Sequence, residues 1–84
     1  MTTGDEADPT DADVVRAAAD AAEEHVFTRL DRADVADLDV TVTFEDRVLE
    51  VDVYLHAPDA AVDTDAVADD AALAGRAAVD ELLE

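Results

Sequence analysis

The chain has 84 residues, of which 24 are acidic and 5 basic, for a formal charge of −19. That balance argues against nucleic acid as a direct partner, because phosphate binding needs a basic stripe. Cysteine is absent, which removes disulfides and thiolate metal sites, and no apolar run is long enough to span a membrane.

All five basic residues are Arg, and Lys, Ile, Ser, Asn, Gln and Trp are missing. So high a charge on a small domain is self-repulsive in dilute buffer. At 1 M salt the Debye length falls to about 3 Å and the repulsion is screened. The composition therefore predicts adaptation to a salt-filled cytosol. Half of the residues are hydrophobic, with clean periodicity, which argues against a wholly disordered acidic chain. A domain of this size buries only about 60–65% of its unfolded surface, so its stability margin is thin. The N-terminus has no basic stretch followed by an apolar one, so a cytoplasmic protein is expected.

Met1 to Pro9 is polar and aperiodic, and is expected to be a disordered tail ahead of one domain over residues 10–84. A first helix is predicted from Thr10 or Asp11. Thr10 can cap it, with Asp13 in the reciprocal capping-box position, where Glu is the usual residue. The expected core stripe is Val15, Ala18, Ala19, Ala22, Val26 and Leu30, with Phe27 on its flank. Arg29 and Arg32 are placed in the last turn, where cations are favoured. The connection from Asp31 to Asp39 is dense in carboxylate.

Leu38, Val40, Val42 and Phe44 alternate with acidic residues and Thr, and Leu49, Val51, Val53 and Leu55 repeat the pattern after a short gap. Period-2 alternation marks half-buried strands. A turn centred on Asp46-Arg47 opposes Phe44/Leu49, Val42/Val51, Val40/Val53 and Leu38/Leu55, giving one wholly apolar face. A one-residue slip would set apolar residues against acidic ones, so the pattern defines the register. Two turns keep that register: a two-residue type I′ turn, which prefers Gly where Arg47 stands, or a four-residue loop from Glu45 to Val48.

Pro58 ends the second strand, and a second helix is predicted from about Asp63 to Asp65. Its expected stripe is Val67, Ala71, Ala74, Ala78 and Leu82, widened by Leu73, Val79 and Leu83. Gly75 in mid-helix costs about 1 kcal/mol relative to Ala, and close approach of another backbone would explain it. The predicted fold is α+β: an α-β-β-α two-layer sandwich, an antiparallel hairpin covered on one face by two antiparallel helices. Both chain ends then lie near the hairpin turn, and both sheet edges are open.

The segments Asp37–Pro58 and Val67–Leu83, with the first helix before them, resemble an uncharacterised family of short acidic proteins of halophilic archaea, a domain of unknown function. The likeness covers roughly residues 10–84 and implies the α-β-β-α fold, with no assigned catalytic residue. The family turn is expected to read Glu-Asp-Gly, so Arg47 departs from it. The family's genes stand near those for the prefoldin beta subunit, a small RNA polymerase subunit and a ribosomal protein. That association implies an accessory role in chaperone or RNA biogenesis.

His25 and His56 are the two histidines, and neither has metalloenzyme spacing. His25 reads as a solvated helix residue. His56 shares the polar strand face with Tyr54 and Asp52, which makes a small metal- or metabolite-binding site, or an enzyme using nearby carboxylates, the alternative expectation. Asp31, Asp34, Asp37 and Asp39 supply enough oxygens for Mg²⁺, Ca²⁺ or Na⁺ but lack the spacing of an EF-hand loop, so a solvated loop is the simpler reading. With no Ser, Cys or Gly-rich loop, no catalytic constellation and no cofactor are expected. The first expectation is a small non-enzymatic protein-interaction module. Its candidate face is Thr41, Thr43, Glu50, Asp52, Tyr54 and His56, or the hairpin edge beside it. The partner is an unknown protein or a second copy joined through strand edges into a four-stranded sheet.

Overall fold

A computed structural model describes residues 10–83 of the chain. The elements are α1 (Asp11–Arg29), β1 (Asp37–Glu45), β2 (Val48–His56) and α2 (Thr64–Leu82), with a 3-10 turn at Arg32–Asp34 between α1 and β1. The order is α-β-β-α, as the sequence predicts. The expected Met1–Pro9 tail lies outside the described residues.

Both helices start on side-chain caps. Thr10 Oγ1 accepts the Asp13 N–H at 3.1 Å, and Asp13 Oδ2 accepts the Thr10 N–H at 3.0 Å. This is a full capping box with Asp in place of Glu. Asp63 Oδ1 accepts from the N–H groups of Asp65 and Ala66 at 3.1 and 3.3 Å. α1 stops at Arg29, so Arg32 belongs to the 3-10 turn and not to the last helical turn. Its guanidinium lies 4.2 Å from the Phe27 ring centroid, a cation–π contact that covers an aromatic at the edge of the core.

The strands pair antiparallel in the predicted register, from Asp37↔His56 to Glu45↔Val48. Of the two turns open to the sequence, the structure takes the two-residue one. Asp46 and Arg47 both have positive φ, 52° and 64°, the type I′ geometry whose twist suits a hairpin. Asp tolerates that backbone region, whereas Arg adopts it at a cost.

The helices cover one face of the hairpin, with α1 against β1 and α2 against β2. Two apolar clusters run end to end. Ala22 and Val26 of α1, with Leu30 just past its end, meet Val67 and Ala71 of α2 together with Ala57. Val14 and Ala18 meet Val79 and Val51, with Phe44 and Leu49 alongside. The start of α1, the end of α2 and the turn therefore share one end, and the helices run antiparallel.

Two expected stripes are corrected. On α1 the buried row is Val14, Ala18, Ala22 and Val26, ending at Leu30, while Val15 and Ala19 are half-buried. On α2 it is Val67, Ala71, Gly75 and Val79. Ala74 and Ala78 are half-buried, and Leu73, Leu82 and Leu83 are exposed. The cause is the helix–helix contact. A Cβ on Gly75 would stand 3.0 Å from the Ala18 carbonyl oxygen and 3.4 Å from Val51 Cγ1. The closest approach needs the smallest residues, so the rows through Ala18 and Gly75 turn inward.

Candidate functional site

The uncovered face of the hairpin is built by strand alternation. With Leu38, Val40, Val42 and Phe44 turned to the helices, the residues between them point the other way. Thr41 stands opposite Asp52, Thr43 opposite Glu50, Asp39 opposite Tyr54 and Asp37 opposite His56. All six sequence-predicted residues (Thr41, Thr43, Glu50, Asp52, Tyr54 and His56) are exposed on this one face. Tyr54 and Val48 give it apolar area, at 56% and 60% exposure. Five carboxylates (Asp37, Asp39, Glu45, Glu50 and Asp52) give it negative charge. A shallow depression at the turn end is lined by Thr43, Glu45, Asp46, Val48 and Glu50.

The edges of the hairpin follow from the turn. A two-residue type I′ turn makes Glu45/Val48 a hydrogen-bonded pair, and such pairs alternate along an antiparallel ladder. The N–H and C=O groups of Thr43, Glu50, Thr41 and Asp52 then face the partner strand. Those of the apolar residues face outward: Val40, Val42 and Phe44 along the β1 edge, Leu49, Val51 and Val53 along the β2 edge. The Ala36 N–H donates to the His56 carbonyl at 2.8 Å and extends the pairing beyond β1. Each outward backbone group is a donor or acceptor available to a further strand.

His56 faces Asp37 across the ladder and Tyr54 faces Asp39, so the face sets each beside one carboxylate. Among the described residues, no group of three or more His, Asp or Glu is placed to hold a metal ion. In the Asp31–Asp39 connection the Asp34 N–H is spent on the Asp31 carbonyl at 2.9 Å, which closes the 3-10 turn. No described helix is long and apolar enough to cross a membrane.

His25 departs from its expected place in solvent. It is half-buried, and its Nε2 is out of contact with water and has no hydrogen-bond partner among the described residues. Its position one residue before Val26 and three after Ala22, beside the buried row, is the signal that could have found this. The depression on the outer flank of α1, lined by Asp20, Glu23, Glu24, Phe27, Thr28 and Arg32, is on a different surface from the sheet face.

Fold and face together define a small α+β protein in which, among the described residues, one sheet surface is bare and two strand edges are open. The chain belongs to the family described as Protein of unknown function (DUF3194), whose model matches residues 10–82. An uncharacterized protein of Natronomonas pharaonis is 49% identical over 84 residues, which is 100% of both chains. No solved structure matches.

Proposed function

We propose that the protein is a small non-enzymatic interaction module of a high-salt cytoplasm, acting through the hairpin edge or the outer sheet face. The observation that carries this reading is a pair of nine-residue strands with, among the described residues, nothing across either edge or over the outer face. Unpaired strand edges invite pairing with another chain. Strand addition is an established recognition mode, with backbone bonds supplying affinity and alternate side chains supplying specificity. The charge of −19 and a full-length relative in a halophilic archaeon support the high-salt setting.

The test is a tagged pull-down at multimolar KCl from a halophilic archaeal lysate, read by mass spectrometry. It is followed by amide exchange on the purified complex. A stoichiometric protein partner that slows edge amides or shifts Tyr54 and His56 is expected. Recovery of the bare protein alone, at its native abundance, sinks the reading.

A further inference from the structure

The two edges are not alike, and the difference singles out β1. Strands that must stay unpaired place charge at the middle of the edge. β2 does so, with Glu50 and Asp52 at its centre. The centre of β1, Val40–Phe44, is an uncharged run of Val, Thr and Phe, and its carboxylates stand only at the ends. The inner side does not separate the two strands, since Leu49, Val53 and Leu55 of β2 are half-buried like the inward residues of β1. The uncharged centre marks β1 as the edge open to pairing.

Geometry then decides what can pair with it. Neighbouring strands lie about 4.8 Å apart, and packed helices lie about 8–10 Å apart. α1 therefore overhangs the edge of β1. Two copies joined antiparallel along β1 would be related by a two-fold axis perpendicular to the sheet, so all four helices would share one face. The two α1 axes would fall within about 2 Å of each other, where packed helices need ~8 Å. The same holds for α2 along β2. An antiparallel four-stranded dimer sheet is sterically closed to this fold, while a single strand with no helix of its own fits beneath the overhang.

Resting on the interaction reading above, we propose that the β1 edge takes one extended segment of a different protein, with apolar residues at alternate positions and neutral or basic residues between them. The apolar residues would lie beside Val40, Val42 and Phe44, beneath α1. Those between would lie beside Asp39 and Glu45, where an acidic residue would be repelled.

The probe is a short synthetic peptide of alternating valine and lysine, with a copy N-methylated at its valines as control. Binding is followed by amide exchange of the full chain in high KCl. The expected result is slowed exchange at Val40, Val42 and Phe44, none at Leu49 and Val53, and loss of binding by the methylated copy. Val42→Pro removes an edge donor without touching the ladder and should weaken binding by about tenfold, with Val53→Pro unchanged. Protected Thr41 and Glu50 amides report that each variant is folded, and the wild-type exchange pattern stands without them. Protection along β2, equal binding of the methylated copy, or no binding overturns the proposal. So does a β1-protected dimer in sedimentation, which would make a second copy the occupant. A natural partner that perturbs only the outer-face side chains would sink the β1 assignment and leave the interaction reading intact.

Discussion

A methyl group at Gly75 would press on a backbone carbonyl 3.0 Å away, which cannot rotate aside as a side-chain tip can. Gly75→Ala gains about 1 kcal/mol in helix propensity, but forcing packed elements apart costs roughly 1–3 kcal/mol. The expected outcome is a lower urea midpoint in high KCl; a higher one would show that the helices separate freely. Arg47 is the opposite case. Its φ of 64° is strained for a side chain with a Cβ. Arg47→Gly relieves that strain but frees the unfolded chain, so a net gain of about 0.5–1 kcal/mol is expected by thermal unfolding. At His25 the buried Nε2 lacks a partner among the described residues. An apolar side chain of similar size removes that unmet group, so His25→Leu should be neutral or stabilising by up to about 1 kcal/mol. A clear loss of stability would mean that Nε2 has a bonding partner.

Among the elements, the caps are the most local. Thr10→Ala and Asp63→Ala should each cost about 1 kcal/mol. Their sites lie at opposite ends of the sandwich, so the double variant should cost the sum. The hairpin makes a sharper statement. In the free protein, ladder amides at Thr41, Thr43, Glu50 and Asp52 should exchange slowly, while edge amides at Val40, Val42 and Phe44 exchange fast. The reverse pattern would contradict the turn geometry. The register was legible because each strand offers one apolar face and a slip would spoil it. The α2 stripe was less legible. Eight of its residues from Ala66 to Ala78 are Ala or Gly, and hydrophobic spacing discriminates poorly when nearly every position is small. Which row turned inward depended on where α1 came closest.

At the scale of the whole molecule, charge governs. Repulsion among 24 carboxylates opposes the compact state, and screening weakens it as the Debye length shrinks from about 10 Å at 0.1 M salt to about 3 Å at 1 M. Stability should therefore climb with KCl over that range. Circular dichroism across a KCl series checks this, and a flat response would remove the argument for salt adaptation. The candidate face was legible in the sequence as a set of six residues, since alternation alone puts them on one side. So was the side the helices leave free, because both carry apolar stripes and only the other sheet face is apolar.

Local chemistry carried the element order, both caps, the hairpin register and the membership of the outer face. Each depends on residues near in sequence or on an alternation that admits one pairing. Tertiary packing decided the rest: the inward rows of both helices, the half-burial of His25, and the two-residue turn despite Arg47. All of these depend on the close approach of α1 to α2 at Ala18 and Gly75, or on strand twist. Distances between segments far apart in the chain have no counterpart in periodicity.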